Sequence, residues 1–130
     1  MGGDFMSKKQ NVVKGRFGEE ASVEFLKRKR YKILDINFRC KIGEVDIVAR
    51  DKSTIVFVEV KSRQSNQYGY PSEAVNYHKQ RKISKVALYY LQSKKLFDYD
   101  YNIRFDVIEI LDYLEDVKVN HIINAFELTV

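Results

Sequence analysis

The stretch TIVFVEVKS, residues 54–62, constrains the fold more than any other. Side chains alternate between faces along a strand, so Ile55 and Phe57 point one way while Val56, Val58 and Val60 point the other. A strand that is apolar on both faces has to be covered on both, which puts it in the middle of a sheet. EVDIVA, residues 44–49, precedes it, and the polar RDKS between them predicts a β-hairpin. YKILDINFR, Tyr31 to Arg39, predicts a strand before the hairpin, with Gly43 breaking the chain. NIRFDVIEIL and VKVNHIINAF, on either side of the acidic turn DYLED, predict two more.

Two segments follow the helical period instead. In GRFGEEASVEFLKRKR, at about 100° per residue, Val23 and Leu26 fall close to Glu19 on one arc, whereas Glu20, Glu24 and Lys27 share a polar arc. Glu19 is thus an acid on the face that should meet the rest of the protein, although the helix dipole alone also favours an acid in a first turn. In NYHKQRKISKVALYYLQSKK, Ile83, Val86, Ala87 and Tyr90 form an apolar face and Lys79, Arg81, Lys82 and Lys85 lie largely off it. This is a basic amphipathic helix. QSNQYGYPSEA, with Gly69 and the only proline, Pro71, predicts a loop ahead of it. The order is helix, three strands, helix, two strands, with no repeat and no linker. It predicts one domain over residues 11–130. MGGDFMSKK, with its second methionine and two glycines, is set apart as part of a disordered segment, residues 1–10.

Composition narrows the function. Hydrophobic residues at 45% and charged residues at 32% exclude disorder as the main state, and no apolar run approaches the roughly 18 residues of a membrane span. A single cysteine, Cys40, and the absence of a signal-peptide pattern predict a cytoplasmic protein with no membrane association. Charge is uneven: residues 1–97 carry 21 Lys/Arg against 10 Asp/Glu, and residues 98–130 carry 2 against 8. Such a basic field concentrates polyanions, and a merely soluble surface would explain it equally well.

Most familiar chemistries lack their parts. His78, His121 and Cys40 do not make a Cys/His zinc site or a histidine triad, and no phosphate loop or dinucleotide fingerprint is present, so no small-molecule cofactor is expected. His78 reads as a surface residue, His121 as structural and Cys40 as a small core residue.

What remains is the hairpin, with Glu44 and Asp46 in one strand and Glu59 and Lys61 in the next. Strand parity puts Glu59 and Lys61 on one face. An even hairpin loop brings Asp46 to that face, a four-residue loop from Asp51 to Thr54 would set it directly opposite Glu59, and an odd loop sends it to the other face. Two facing carboxylates repel, so at least one should titrate above its usual range, and neutralising Glu59 should relieve the strain. A hard divalent cation would also remove the conflict. Mg²⁺ or Mn²⁺ suits a site of Asp46, Glu59 and the Val60 carbonyl, and Lys61 would stand beside the scissile phosphate. The competing reading is a surface charge cluster in which Glu59 and Lys61 simply pair.

With these motifs in order (GRFGEEAS, NFRCKIGEVDIVARD, VFVEVKSR, KQRKI, RFDV and INAF) the chain resembles, over nearly its whole length from Lys14, the YraN-like family of small bacterial proteins. That family is described as predicted endonucleases of the restriction-endonuclease-like PD-(D/E)XK superfamily, related to archaeal Holliday junction resolvases. The resemblance implies an α/β fold with an αβββαβ core, a mixed central sheet flanked by helices and a further C-terminal strand. It also implies catalytic roles for Asp46, Glu59 and Lys61, with Glu19 as an auxiliary acid. The superfamily's leading Pro-Asp is Val45-Asp46 here, which leaves the carboxylate in place. The expectation is a Mg²⁺-dependent endonuclease for branched or junction DNA. Arg63, Lys79, Gln80, Arg81, Lys82, Lys85 and the Gln64–Tyr70 loop are expected to bind nucleic acid, and a homodimer is left open. The rival expectations are a non-catalytic nucleic-acid-binding module of a DNA-processing complex and, more weakly, a surface for an acidic protein partner.

Overall fold

A computed structural model of the chain describes residues 17–64, 75–96, 101–113 and 116–130, with the side chains of 63, 64, 112, 113 and 116 outside the description. The expected disordered segment 1–10 and the loop Gln64–Tyr70 beyond its first residue therefore lie outside the described residues. A helix over residues 17–28 (α1) is followed by β1 (Lys32–Arg39), β2 (Glu44–Asp51), β3 (Thr54–Gln64), α2 (Tyr77–Ser93), β4 (Asn102–Tyr113) and β5 (Asp116–Phe126). The strands form one sheet in the order β1-β2-β3-β4-β5. β3 and β4 are parallel and all other neighbours antiparallel, so the sheet is mixed, with α2 as the crossover between the parallel pair.

The doubly apolar strand is central, as its pattern predicts. Ile55 and Phe57 belong to a core under α2 with Ile83, Val86, Ala87 and Tyr90, while Val56 and Val58 belong to a second core under α1 with Leu26, Ile108 and Ile110. All four residues from Ile55 to Val58 are at most 1% exposed. At roughly 1.5–3 kcal/mol per large apolar side chain, this strand alone accounts for a sizeable part of the driving force for folding.

α1 ends where Arg30 takes φ 68°, with Tyr31 N–H donating to the Leu26 carbonyl at 3.0 Å and Arg30 N–H to that of Lys27 at 2.9 Å. This paired capping turn normally uses glycine. It drops Tyr31 into the α1-side core. β1 and β2 form a hairpin closed by Cys40 and Gly43, which exchange both backbone hydrogen bonds. α2 passes over that turn so closely that a Cβ on Gly43 would come within 3.3 Å of Lys82 Cε.

Candidate metal and phosphate site

Asp51 pairs with Thr54 across the two-residue turn Lys52–Ser53, and the ladder continues to Ile47 and Val58. The loop is even, and the same register carried one step further sets Asp46 opposite Glu59. There the ladder stops. The Val60 N–H donates instead to Asp46 Oδ2 at 2.8 Å, so a side-chain carboxylate takes the bond that a backbone carbonyl would accept in a continued sheet. Strand alternation slips at the same point. Val45 belongs to the α2-side core and Ile47, two residues on, to the α1-side core. β2 stays with β1 through Val45 and Glu44, while β3 runs on beside β4 to Gln64. The sheet forks, and the acids sit at the crotch.

Glu59, 8% exposed, faces the first turn of α2. Its Oε1 receives Lys79 Nζ at 2.6 Å and Lys61 Nζ at 3.6 Å. Asn76 caps α2 by accepting the Lys79 N–H at 2.9 Å, which fixes the backbone from which Lys79 reaches inward. Glu19 approaches from the other side of the sheet. Its helix lies so close to β3 that a Cβ on Gly18 would come within 2.5 Å of Ser62 Oγ, and Glu19 Oε2 accepts from Asn37 Nδ2 at 3.0 Å. Asn37 holds φ 54°, a conformation asparagine tolerates better than most residues.

These placements set the charges. Burial and the Glu59 carboxylate push the Asp46 carboxyl up to about 7, with smaller pushes from Glu19 and Glu44, while the Val60 N–H pulls the other way. The Lys61 ammonium is held below its ordinary range by burial and then by Lys79. For Lys79, burial acts to lower the value, but the Glu59 bond prevails and raises it. The raised carboxyl that the sequence predicts is therefore Asp46. The residue whose neutralisation gives relief is Asp46 too, not Glu59, because removing Glu59's charge strands two lysines.

The sign of this effect can be read from stability. Asp46 titrates at about 7 in the folded chain and near 3.8 when exposed, so its favourable contribution is complete below pH 4 and is lost as pH rises through 7. At full strength the displacement is worth about 4 kcal/mol, and partial solvent access reduces it to about 2 kcal/mol. Asp46→Asn, which still accepts the Val60 N–H, should melt roughly 6 °C above wild type at pH 8 in chelator and level with it near pH 4. Equal melting temperatures at both pH values would show that neither burial nor the Glu59 carboxylate disfavours the Asp46 charge.

The remaining candidates are distributed as follows. Glu44 is exposed and pairs with Arg39 at 2.9 Å, away from the fork. Arg81, Lys82 and Lys85 of α2 are exposed, Lys82 with its stem alongside Gly43, whereas Gln80 donates to the Val75 carbonyl at 2.9 Å. The Arg63 side chain lies outside the described residues. Sequence reasoning missed Asn37 and also Glu109, a 3%-exposed acid in β4 that pairs in register with Lys61 and accepts from Asn120 at 3.3 Å. Its only signal was an acid inside an apolar strand. A buried cluster on the α1 side was missed as well: Asp106 receives Arg104 through two bonds of 2.9 Å, His121 at 2.8 Å and the Asn124 N–H at 2.9 Å.

No three His, Cys, Asp or Glu side chains among the described residues are grouped to hold a metal ion. Asp46, Glu59 and the Val60 carbonyl would offer oxygen donors only, the chemistry of a hydrated hard cation such as Mg²⁺ and not of zinc. Among the described residues no helix is long and apolar enough to cross a membrane.

Relatives match this chain over most of its length. A protein of Alkaliphilus oremlandii is 51% identical over 112 residues, covering 86% of this chain and 96% of its own length. One of Geobacter metallireducens is 54% identical over 118 residues, with 91% and 95% covered. One of Caldanaerobacter subterraneus is 48% identical over 124 residues, spanning its whole length. All three carry the name UPF0102 protein, and the model of the family described as "Uncharacterised protein family UPF0102" matches residues 18–110. The chain belongs to the UPF0102 family.

Proposed function

We propose that this protein is a Mg²⁺-dependent endonuclease of the PD-(D/E)XK kind that hydrolyses phosphodiester bonds in DNA in the cytoplasm, with branched or junction DNA as its preferred substrate. The observation that carries the reading is the pair Asp46 and Glu59 held together at the end of an interrupted ladder with Lys61 two residues on. A sheet built for stability alone has no use for that crowding. Asp46, Glu59 and the Val60 carbonyl would hold the cation, which when bound polarises the phosphate and lowers the pKa of water. Lys61 projects its ammonium beside the carboxylates and stabilises charge developing on the phosphate. Glu19, fixed by Asn37, adds negative charge on the far side and can orient water. The preference for branched DNA rests on the resemblance to junction resolvases.

A second reading has its own support. Both lysines are engaged by Glu59, and such a self-neutralised cluster also fits a nucleic-acid-binding module that keeps the nuclease fold. One assay separates them: wild type and Asp46→Asn against single-stranded, duplex, flap and four-way-junction DNA with Mg²⁺, Mn²⁺ or chelator. The nuclease cuts only with metal and only with Asp46. A protein that binds DNA and cuts none of these substrates is the module.

Both readings need the exposed cations of α2. Phosphate contacts release counterions, so reversing Arg81 and Lys82 together to Glu should weaken duplex binding at least tenfold near 0.1 M salt. The slope of log affinity against log salt should flatten by about 2, alike for unrelated sequences. Unchanged binding would remove this face from the interface.

A further inference from the structure

Lys79 is placed where its sequence pattern does not put it. A lysine off the apolar face of a basic helix should point to solvent, yet Lys79 Nζ makes the shorter of the two ion pairs on Glu59, 2.6 Å against 3.6 Å for Lys61, and both bonds fall on the same oxygen. Two lysines thus share one oxygen of Glu59, and no ion pair among the described residues links either of them to Asp46.

A divalent cation at Glu59 competes with both ammonium groups for this oxygen. One lysine has to leave. Lys79 is the one in the way, because it holds the oxygen at 2.6 Å against 3.6 Å for Lys61, and only its side chain makes the contact, its backbone being pinned by the Asn76 cap. Outward rotation of its four-carbon stem carries the ammonium toward the exposed Arg81, Lys82 and Lys85.

We propose that Lys79 is the site's resident cation: it holds Glu59 in the metal-free protein, and a divalent ion takes Glu59 Oε1 by turning the Lys79 ammonium out onto a phosphate of the DNA. This rests on the metal site proposed above and adds to it a competition between a lysine and the metal, followed by a phosphate contact that exists only once metal is bound. Lys79 is then a positioning residue for Glu59 in one state and a phosphate ligand in the other.

The test is Mn²⁺ binding to the full chain by calorimetry without DNA, together with melting in chelator, for wild type, Lys79→Met and Lys79→Arg. Lys79→Met should bind Mn²⁺ about tenfold more tightly, because its competitor is gone, and should melt below wild type in chelator, with Mn²⁺ closing the gap. Lys79→Arg keeps the charge and should stay near wild type in both. With Mn²⁺ saturating, Lys79→Met should still bind duplex DNA more weakly than wild type. Lys79→Gln replaces Lys79→Met if the latter does not fold. Unchanged or weaker Mn²⁺ affinity in Lys79→Met, with wild-type binding still abolished by Asp46→Asn, overturns the competition and leaves the metal site standing. If neither wild type nor Lys79→Met binds Mn²⁺, the metal site falls and the competition with it.

Discussion

Asp106→Ala should lower the melting temperature by more than 10 °C, a loss of about 3–5 kcal/mol, without touching the proposed site. Asp106 is fully buried, and its partners converge from separate parts of the chain. Arg104 makes a two-pronged bond to it and passes its remaining donors to the Tyr31 hydroxyl at 2.8 Å and to Asp51 at 3.5 Å. His121 accepts from Lys29 Nζ at Nδ1 and so carries its proton on Nε2, which donates to Asp106. The Asn124 N–H, presented by a residue at φ 58°, completes the set. Alanine leaves these donors facing a cavity, and stranded buried charge is among the costliest defects a core can hold. Burial alone would raise the Asp106 carboxyl, but His121, Arg104 and the Asn124 N–H outweigh it and hold it below the usual carboxylate range. Its contribution is therefore present above the unfolded value near 3.8 and is lost as pH falls, so wild type and mutant should converge in acid. A change of less than 3 °C at pH 7 would mean that the cluster is not holding β4, β5 and the end of α1 together.

Lys61→Ala should reduce metal-dependent cleavage about 10³-fold while changing Mn²⁺ and DNA affinity only a few-fold. Lys79 still holds Glu59 in the metal-free variant, and a bound cation would hold it in the loaded one, so the carboxylate stays in place. What disappears is a cation next to the reacting phosphate, and one such donor in a water-poor site is typically worth 10²–10³ in rate. The distinction from Asp46→Asn is diagnostic, because that change should remove metal binding and cleavage together. If Lys61→Ala cuts as fast as wild type, Lys61 serves only as a partner of Glu59 and the catalytic cation lies elsewhere.

The parts of this architecture that depend on periodicity were legible from residues alone. β3 declared itself central because Ile55 to Val58 left no face for water, and hairpin parity put Asp46 opposite Glu59 once the turn proved even. Three features depend on tertiary contacts that no local pattern encodes. The slip between Val45 and Ile47 coincides with a hydrogen bond between Asp46 and a backbone amide fourteen residues away. Lys79 lay off the apolar arc of its helix, and the wheel could not show that the first turn of α2 overhangs β3 there. The Asp106 cluster offered only an Arg-x-Asp on one face of a strand, and its meaning depends on β5 bringing His121 alongside.

The fork has a consequence for association between molecules. Past Val58, β3 has lost its β2 neighbour, so backbone groups such as the Val60 carbonyl open into a notch in the middle of the sheet. On an outer strand such groups would invite a strand from another molecule, the usual route to edge-to-edge aggregation. Here the β1–β2 arm, still paired from Phe38 and Val45 to Arg39 and Glu44, stands on the other side of the gap and denies a foreign strand the room to add. An interruption inside the sheet, flanked by a paired arm, is thereby less exposed to strand addition than an outer edge.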